Sequence, residues 1–214
     1  MQTAILDTQT KKRQKLIALV DSAVAAVGQL KSEVNLLFIE QVAALLADTF
    51  RRGNKVLIAG NGGSLCDASH FAEELTGIFY RKRKALPAIV LSEPGHLTCT
   101  ANDLGYEWVF HRGVEAYGKK DDLFIGLSTS GNSLSIIRAF EKAKELDMKT
   151  VAFLGKDGGK MRGMANFEMI ISGFPKSDRD QEAHMSAMHM IIELMEDQLF
   201  GDQLFGEKNN APLF

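Results

Sequence analysis

The stretch Val56-Leu57-Ile58-Ala59-Gly60-Asn61-Gly62-Gly63-Ser64 joins a short apolar run to a loop that contains three glycines. Four consecutive apolar residues between polar and glycine residues are typical of a strand buried in a parallel sheet. Similar apolar runs follow at residues 88–91, 123–127, 151–154 and 169–171. Helical patterns separate several of them, at residues 67–75, 108–117, 133–146 and 181–200. Strands that alternate with helices predict right-handed crossovers, so we expect an α/β fold with one five-stranded parallel sheet flanked by helices.

The chain ahead of this sheet has a helical pattern of its own. From Lys11 to Arg52 apolar residues recur at helical spacing, and a break near Lys31 and Ser32 predicts two helices. The first helix is apolar over a wide arc. That arc favours either packing against a partner chain or burial within the same chain.

The length of 214 residues suits one domain rather than two. We expect this domain over residues 1–200, divided into an N-terminal helical segment (11–52) and an α/β core (53–200) that ends in a long helix. Residues 201–214 are expected to form a loosely ordered tail.

Composition and charge exclude several classes of protein. The net charge of −2 provides no overall basic field, so we expect neither nucleic acid nor a membrane as partner. No run of 18 apolar residues occurs, and no apolar segment typical of a secretory signal follows the N-terminal lysines. The two cysteines, Cys66 and Cys99, form no CxxC pair, which suits a reducing cytoplasm. The basic run 81–84 is interpreted as a solvated loop face, with a patch that attracts phosphorylated substrate as the alternative.

The glycine loop at residues 60–64 lies where an open α/β sheet binds ligands, between the carboxyl end of a strand and a helix N-terminus. Glycines allow close approach of the backbone, and the free N–H groups of the helix attract an anion. The spacing is neither that of a dinucleotide fingerprint nor that of a P-loop. A purely structural turn would explain this loop equally well.

A second loop, Ser128-Thr129-Ser130-Gly131-Asn132-Ser133, is more specific. It follows the predicted strand 123–127 and precedes a helix. Its four hydroxyl groups can surround a phosphate without a cationic side chain, helped by backbone N–H groups and the helix dipole. Since a helix N-cap needs only one such residue, the pattern favours phosphate binding.

Candidate acid–base residues lie on two of the predicted helices. His70 and Glu74 are four residues apart and therefore share a helix face. Gln181 and His189 lie about two turns apart on the last helix and can point to the same side. His184 falls on another side of that helix. We interpret it as a packing residue, and His96 and His111 as ordinary histidines.

Taken together, these motifs resemble those of phosphoheptose isomerases within the wider SIS (sugar isomerase) family, over about residues 15–200. The matching segments are Gly60-Asn61-Gly62-Gly63-Ser64, Cys66-Asp67-Ala68, His70-Phe71-Ala72-Glu73-Glu74-Leu75-Thr76-Gly77, Ser128-Thr129-Ser130-Gly131-Asn132-Ser133, Gly155-Lys156-Asp157-Gly158-Gly159-Lys160-Met161 and the Gln181-Glu182, His184 and His189 pattern. Their joint occurrence in this order is far more specific than any one of them. Ile78 departs from the pattern, because the resemblance predicts an arginine there.

The resemblance implies a cytoplasmic homotetramer that converts sedoheptulose 7-phosphate to D-glycero-D-manno-heptose 7-phosphate for lipopolysaccharide biosynthesis. It implies that Glu74 is the catalytic base and His189 the catalytic acid, and that zinc is bound by His70, Glu74, Gln181 and His189. The positions that match substrate-binding residues are Asn61, Gly62, Gly63, Ser64, Glu74, Asn102, Asp103, Ser128, Thr129, Ser130, Ser133, Asp178 and Gln181.

Two alternatives stay open at this level. Some relatives in the SIS family act as non-catalytic adaptors, including one that associates with a replication initiator, but they lack the glutamate and histidine found here as Glu74 and His189. The second alternative is an isomerase of a different phosphosugar. The hydroxyl loop recognises phosphate and not the length of the sugar, so it does not distinguish the two. In an isomerase of either phosphosugar, a carboxylate can transfer the carbon-bound proton and a nearby imidazole can exchange protons with the two oxygens.

Overall fold

The computed structural model describes residues 2–201, with side chains from residue 9 onward. Its core is one parallel sheet of five strands: β1 (Val56–Ala59), β2 (Ala88–Val90), β3 (Leu123–Ser128), β4 (Lys149–Gly155) and β5 (Phe167–Ile171). The strands lie in the order β2-β1-β3-β4-β5. This confirms the predicted α/β fold and all five strands, with ends moved by at most two residues. Gly201 alone of the predicted tail 201–214 lies within the described residues.

Seven α-helices surround the sheet within the described range: α1 (Gln2–Gly28), α2 (Glu33–Arg51), α3 (Gly63–Thr76), α4 (Pro94–Asp103), α5 (Val109–Tyr117), α6 (Leu134–Glu145) and α7 (Ser177–Phe200). The predicted break between the first two helices is a short 3₁₀ turn, Gln29–Lys31, followed by the Ser32 N-cap. Helix α4 was not predicted. Its start carries a recognisable signal, since Glu93 caps the free N–H groups and Pro94 occupies the first turn.

Alternation along each strand divides the core into two layers, because successive side chains of a strand point to opposite faces. Val56 and Ile58 of β1 face the layer that contains α2, α3 and α7, whereas Leu57 and Ala59 face the layer that contains α5 and α6. Strands β1 and β3 are buried at every residue, on both faces of the sheet, which explains why they read as continuous apolar runs. No helix among the described residues is long and apolar enough to cross a membrane.

Candidate active site

The two loops identified in the sequence lie side by side. Strands β1 and β3 are direct neighbours, while the chain continues from β1 to β2 on the opposite side. This reversal opens a crevice at the carboxyl ends of the strands, where open α/β sheets bind ligands. Asn61 crosses it, since its amide nitrogen donates to Ser135 Oγ at 3.1 Å and its oxygen accepts from the Tyr106 hydroxyl at 2.7 Å. The crevice is therefore bounded by loop 60–63 and by α6.

The hydroxyl loop has donors that the fold leaves available. Ser133 is the N-cap of α6, yet its side chain makes no capping hydrogen bond. Its hydroxyl instead lies 3.0 Å from that of Ser128, the last residue of β3. Both hydroxyls face each other beside the free N–H groups of a helix N-terminus, an arrangement that suits a bound anion.

A third loop, the segment 155–161, fixes the shape of the hydroxyl loop. Gly131 has φ +62°, and a Cβ atom at this position would overlap the carbonyl oxygen of Gly158. The backbone N–H of Met161 donates to the Gly131 carbonyl at 3.0 Å, and that of Lys160 donates to Asn132 Oδ1 at 3.2 Å. Only glycine fits at residue 131, because the conformation and the close approach both exclude a side chain.

The predicted acid–base residues come together between α3 and α7. His70 Nε2 lies 3.3 Å from Glu74 Oε1, and the rings of His70 and His189 are 5.1 Å apart. One potential ligand atom from each of the three residues lies within 4.8 Å of the others. The side chains of His70 and Glu74 are 43% and 17% exposed, so solvent reaches part of the cluster.

The environment of His189 favours the neutral imidazole. Its ring stacks on Phe79 at 5.6 Å, and its Nε2 atom is buried without a hydrogen-bond partner among the described residues. Burial lowers the pKa of His189, and the neighbouring His70 lowers it further, against an opposite effect of Glu74. A neutral imidazole with an unpartnered nitrogen can bind a metal ion or exchange a proton.

The other predicted site residues are spread over the crevice. Gln181 lies two turns before His189, and its amide packs directly against Gly63, where a Cβ atom would collide with it. Asp178, in the first turn of α7, binds Arg179 and is largely exposed. Asn102 and Asp103 end α4 and bond to each other. The structure thus brings together three of the four predicted metal ligands and places Gln181 beside the glycine loop.

The structure corrects the interpretation of the basic run 81–84 as a solvated face. Lys82 and Lys84 are exposed, but the Arg83 side chain is buried and pairs with buried Glu196 of α7 at 2.6 Å. Charge alone does not distinguish Arg83 from its neighbours in the sequence, so nothing in the pattern indicated this pair. His184 is buried as expected, with Nε2 2.9 Å from the Leu154 carbonyl oxygen.

Two carboxyl groups near the site were also missed. Asp180 is fully buried, and neither of its oxygens has a hydrogen-bond partner among the described residues. It packs against Gly155, next to the carbonyl oxygen of Thr129 in the hydroxyl loop. Burial raises the pKa of Asp180 to about 6, opposed by Lys156 and assisted by Asp178. Burial likewise raises the pKa of Asp67 on α3 to about 6, opposed by His70.

Comparison with known proteins finds relatives over most of the chain. Residues 19–155 match the SIS domain family. The chain is 58% identical over 157 residues to a phosphoheptose isomerase of Fusobacterium nucleatum, covering 73% of this chain and 80% of that one. It is 52% identical over 170 residues to that of Vibrio cholerae, covering 79% and 89%. Among solved structures, the phosphoheptose isomerase GmhA of Neisseria gonorrhoeae aligns with a TM-score of 0.79 at 31% identity, covering 86% and 98%.

Asp180 provides a test of the electrostatics under the hydroxyl loop. Since its pKa is about 6 in the folded chain and near 3.8 otherwise, the folded state holds this proton more tightly between those pH values. Stability therefore decreases as the pH rises from 4 to 6. Between pH 4.5 and 7, we expect the free energy of unfolding of Asp180→Asn to decrease by about 1–2 kcal/mol less than that of the wild type, measured by urea unfolding. Asp21→Asn, at an exposed position on α1, is the control, and equal pH slopes for wild type and Asp180→Asn would contradict the assignment.

Proposed function

The chain belongs to the SIS domain family and, within it, to the phosphoheptose isomerases, and on this premise we propose that it converts sedoheptulose 7-phosphate to D-glycero-D-manno-heptose 7-phosphate. Heptose supply for lipopolysaccharide is the corresponding role. The observation that carries the proposal is the joint presence of the hydroxyl loop, at the carboxyl end of β3, and a carboxylate–imidazole cluster between α3 and α7. Glu74, His70 and His189 have ligand atoms within 4.8 Å of one another.

The reaction moves one carbon-bound proton. The substrate has a carbonyl group at C2 and a hydroxymethyl group at C1. Glu74 removes a proton from C1, the C1–C2 double bond of an enediol forms, and the same carboxylate returns a proton to C2. The hydroxyl proton of C1 leaves as its oxygen becomes the aldehyde, while the C2 oxygen gains one. His189 carries protons between these two oxygens. Its lowered pKa favours the neutral imidazole, which can accept a proton and return it.

Binding and orientation fall to the hydroxyl loop. Ser128, Thr129, Ser130 and Ser133 hold the phosphate at the N-terminus of α6, while loop 60–64 supplies backbone contacts. The donors that this loop itself offers are hydroxyl and backbone N–H groups, which bind a phosphate without a cationic side chain.

Zinc fits the cluster. His70, Glu74 and His189 would hold it, with Gln181 as a fourth ligand, and the support is the buried Nε2 atom of His189 without a hydrogen-bond partner. A bound zinc ion would stabilise the negative charge of the enediolate as a Lewis acid. Ligation competes with proton abstraction for the lone pairs of Glu74, so the metal and the base role limit each other.

We further propose a cytoplasmic homo-oligomer, a tetramer. The first helix carries an apolar stripe that is more than half exposed, formed by Leu16, Ile17, Val20 and Val24. Beside it, a groove of about 750 Å³ lies between α1, α2 and α7 and reaches His189. A second copy seated on this stripe would cover the groove and exclude water from the cluster. Unpaired Cys66 and Cys99 support a reducing compartment.

The catalytic assignment predicts the effect of one carboxylate. Glu74→Gln preserves shape but removes the basicity, so turnover should fall by about 10²–10⁴ while calorimetry still detects phosphosugar binding. The variant should also fail to exchange the C1 proton with deuterated water. Glu73→Gln is the matched control, because Glu73 is exposed and about 100° away around α3. Near wild-type turnover of Glu74→Gln would refute the assignment and favour a non-catalytic adaptor.

Metal content tests the zinc proposal independently of turnover. Purified protein should contain about one zinc per chain by elemental analysis, and His70→Ala should lower this content severalfold. Chelation should reduce activity and added zinc should restore it. Fully active protein without metal would leave acid–base catalysis alone.

Disruption of the apolar stripe tests the assembly. Val20→Glu with Val24→Glu should reduce the mass measured by light scattering from four chains to fewer, because charges would be buried in the contact. Lys15→Glu is the control, since it changes the net charge equally but lies half a turn around α1 from Val24. An unchanged mass in the double variant would show that this stripe is not the contact.

A further inference from the structure

Arg83 lies in the loop between α3 and β2, and its buried side chain connects α3 with α7. Its Nε donates to Glu196 Oε1 at 2.6 Å. Its Nη2 donates to the backbone carbonyl of Glu74 at 2.8 Å, and its Nη1 to that of Leu75 at 2.8 Å. The side chains of Arg83 and Glu196 are 1% and 0% exposed, so these bonds form in the absence of competing water.

The carbonyl groups that Arg83 binds belong to the last turn of α3. The final carbonyl groups of a helix have no partner within it, and the helix dipole makes this end negative. Helix α3 has no basic residue in its own last turn. Arg83 supplies a donor to the Glu74 carbonyl and a second donor to that of Leu75, which also accepts from the Leu86 N–H, and it brings a positive charge from outside the helix. One of the bound carbonyls belongs to Glu74 itself.

Glu196 connects the same arrangement to the other half of the catalytic cluster. It lies on α7, seven residues after His189, and its second oxygen accepts from the backbone N–H of Arg81 at 3.2 Å. Seven residues are about two helical turns, so Glu196 and His189 lie on the same side of α7. Two hydrogen bonds, of 2.8 and 2.6 Å, thus connect the Glu74 backbone through Arg83 to Glu196, and α7 itself connects Glu196 to His189.

We propose that Arg83, held by Glu196, is a positioning residue of the isomerase: it fixes the backbone at Glu74 relative to α7 and so sets the Glu74 carboxylate against His189. The inference rests on the proposed function, since it concerns the same reaction. Misplacement of a reacting group by about 1 Å can cost about 10² in rate, so a device of this kind affects catalysis more than binding.

A stabilising role alone would give a different result. A buried ion pair contributes little net stability, and apolar residues of similar size often replace both partners without loss. Removal of one partner leaves an uncompensated buried charge and destabilises strongly. An apolar pair can therefore restore the stability of the fold, but it cannot bind the Glu74 carbonyl.

The experiment compares Arg83→Met, the double variant Arg83→Met with Glu196→Met, and Arg83→Lys in the full-length chain. Thermal midpoint, kcat and KM for sedoheptulose 7-phosphate are measured for each. We expect Arg83→Met to lower the midpoint and the double variant to recover most of it, while kcat stays at least tenfold below wild type and KM changes less than threefold. Arg83→Lys should keep the fold and still lose about tenfold in kcat, because one ammonium group cannot bind Glu196 and both carbonyls. Lys82→Met, at an exposed position, is the control.

Either of two results would overturn the proposal with the wild-type chain active. A double variant or an Arg83→Lys variant with wild-type kcat would show a purely structural role, and a KM raised in step with the loss of kcat would show that the whole site is disturbed. A wild-type chain that isomerises no phosphoheptose would instead refute the proposed function, and this inference with it.

Discussion

The parallel pairing of β1 with β3 is the constraint on which the site depends. Four consecutive residue pairs hold these strands in register, so β1 ends opposite Gly126 and β3 continues only two residues further, to Ser128. Loop 60–63 and the hydroxyl loop then meet without any long-range adjustment, and α3 and α6 begin at the same edge. The proposed anion binding and acid–base chemistry both depend on this alignment, because one loop leads into the helix that carries Glu74 and the other provides the hydroxyl groups.

The polar groups of the site are stabilised unequally. The hydroxyl loop is held in place by the segment 155–161, which donates hydrogen bonds to its backbone and to one of its side chains. By contrast, His189, Asp67 and Asp180 each have a buried polar atom without a partner among the described residues. Unsatisfied buried groups are costly, and three of them occur on α3 and α7, the two helices that carry the carboxylate–imidazole cluster, as is typical of functional sites. Desolvation is the largest cause of the pKa shift in all three cases.

Local sequence patterns predicted most of the fold and the outline of the site. Fully buried strands read as apolar runs, and the hydroxyl and glycine loops are contiguous, so both were visible without a structure. The i, i+4 spacing predicted that His70 meets Glu74. Contacts between distant segments were not visible: Arg83 resembles its solvated neighbours until Glu196 is placed against it. The burial of Asp180 against Gly155 was not visible either, because it depends on the packing of α7 over β4.

Helix α7 has a consequence for how the molecule opens. It packs against α1, α2, α3, β4 and β5, and it also carries Gln181, His189 and Glu196. Because so many elements pack against α7, we expect its central amide protons to exchange with solvent through cooperative unfolding of the whole domain rather than by local opening. The geometry of the reaction centre therefore persists as long as the domain is folded, and partial loosening of the surface leaves it intact.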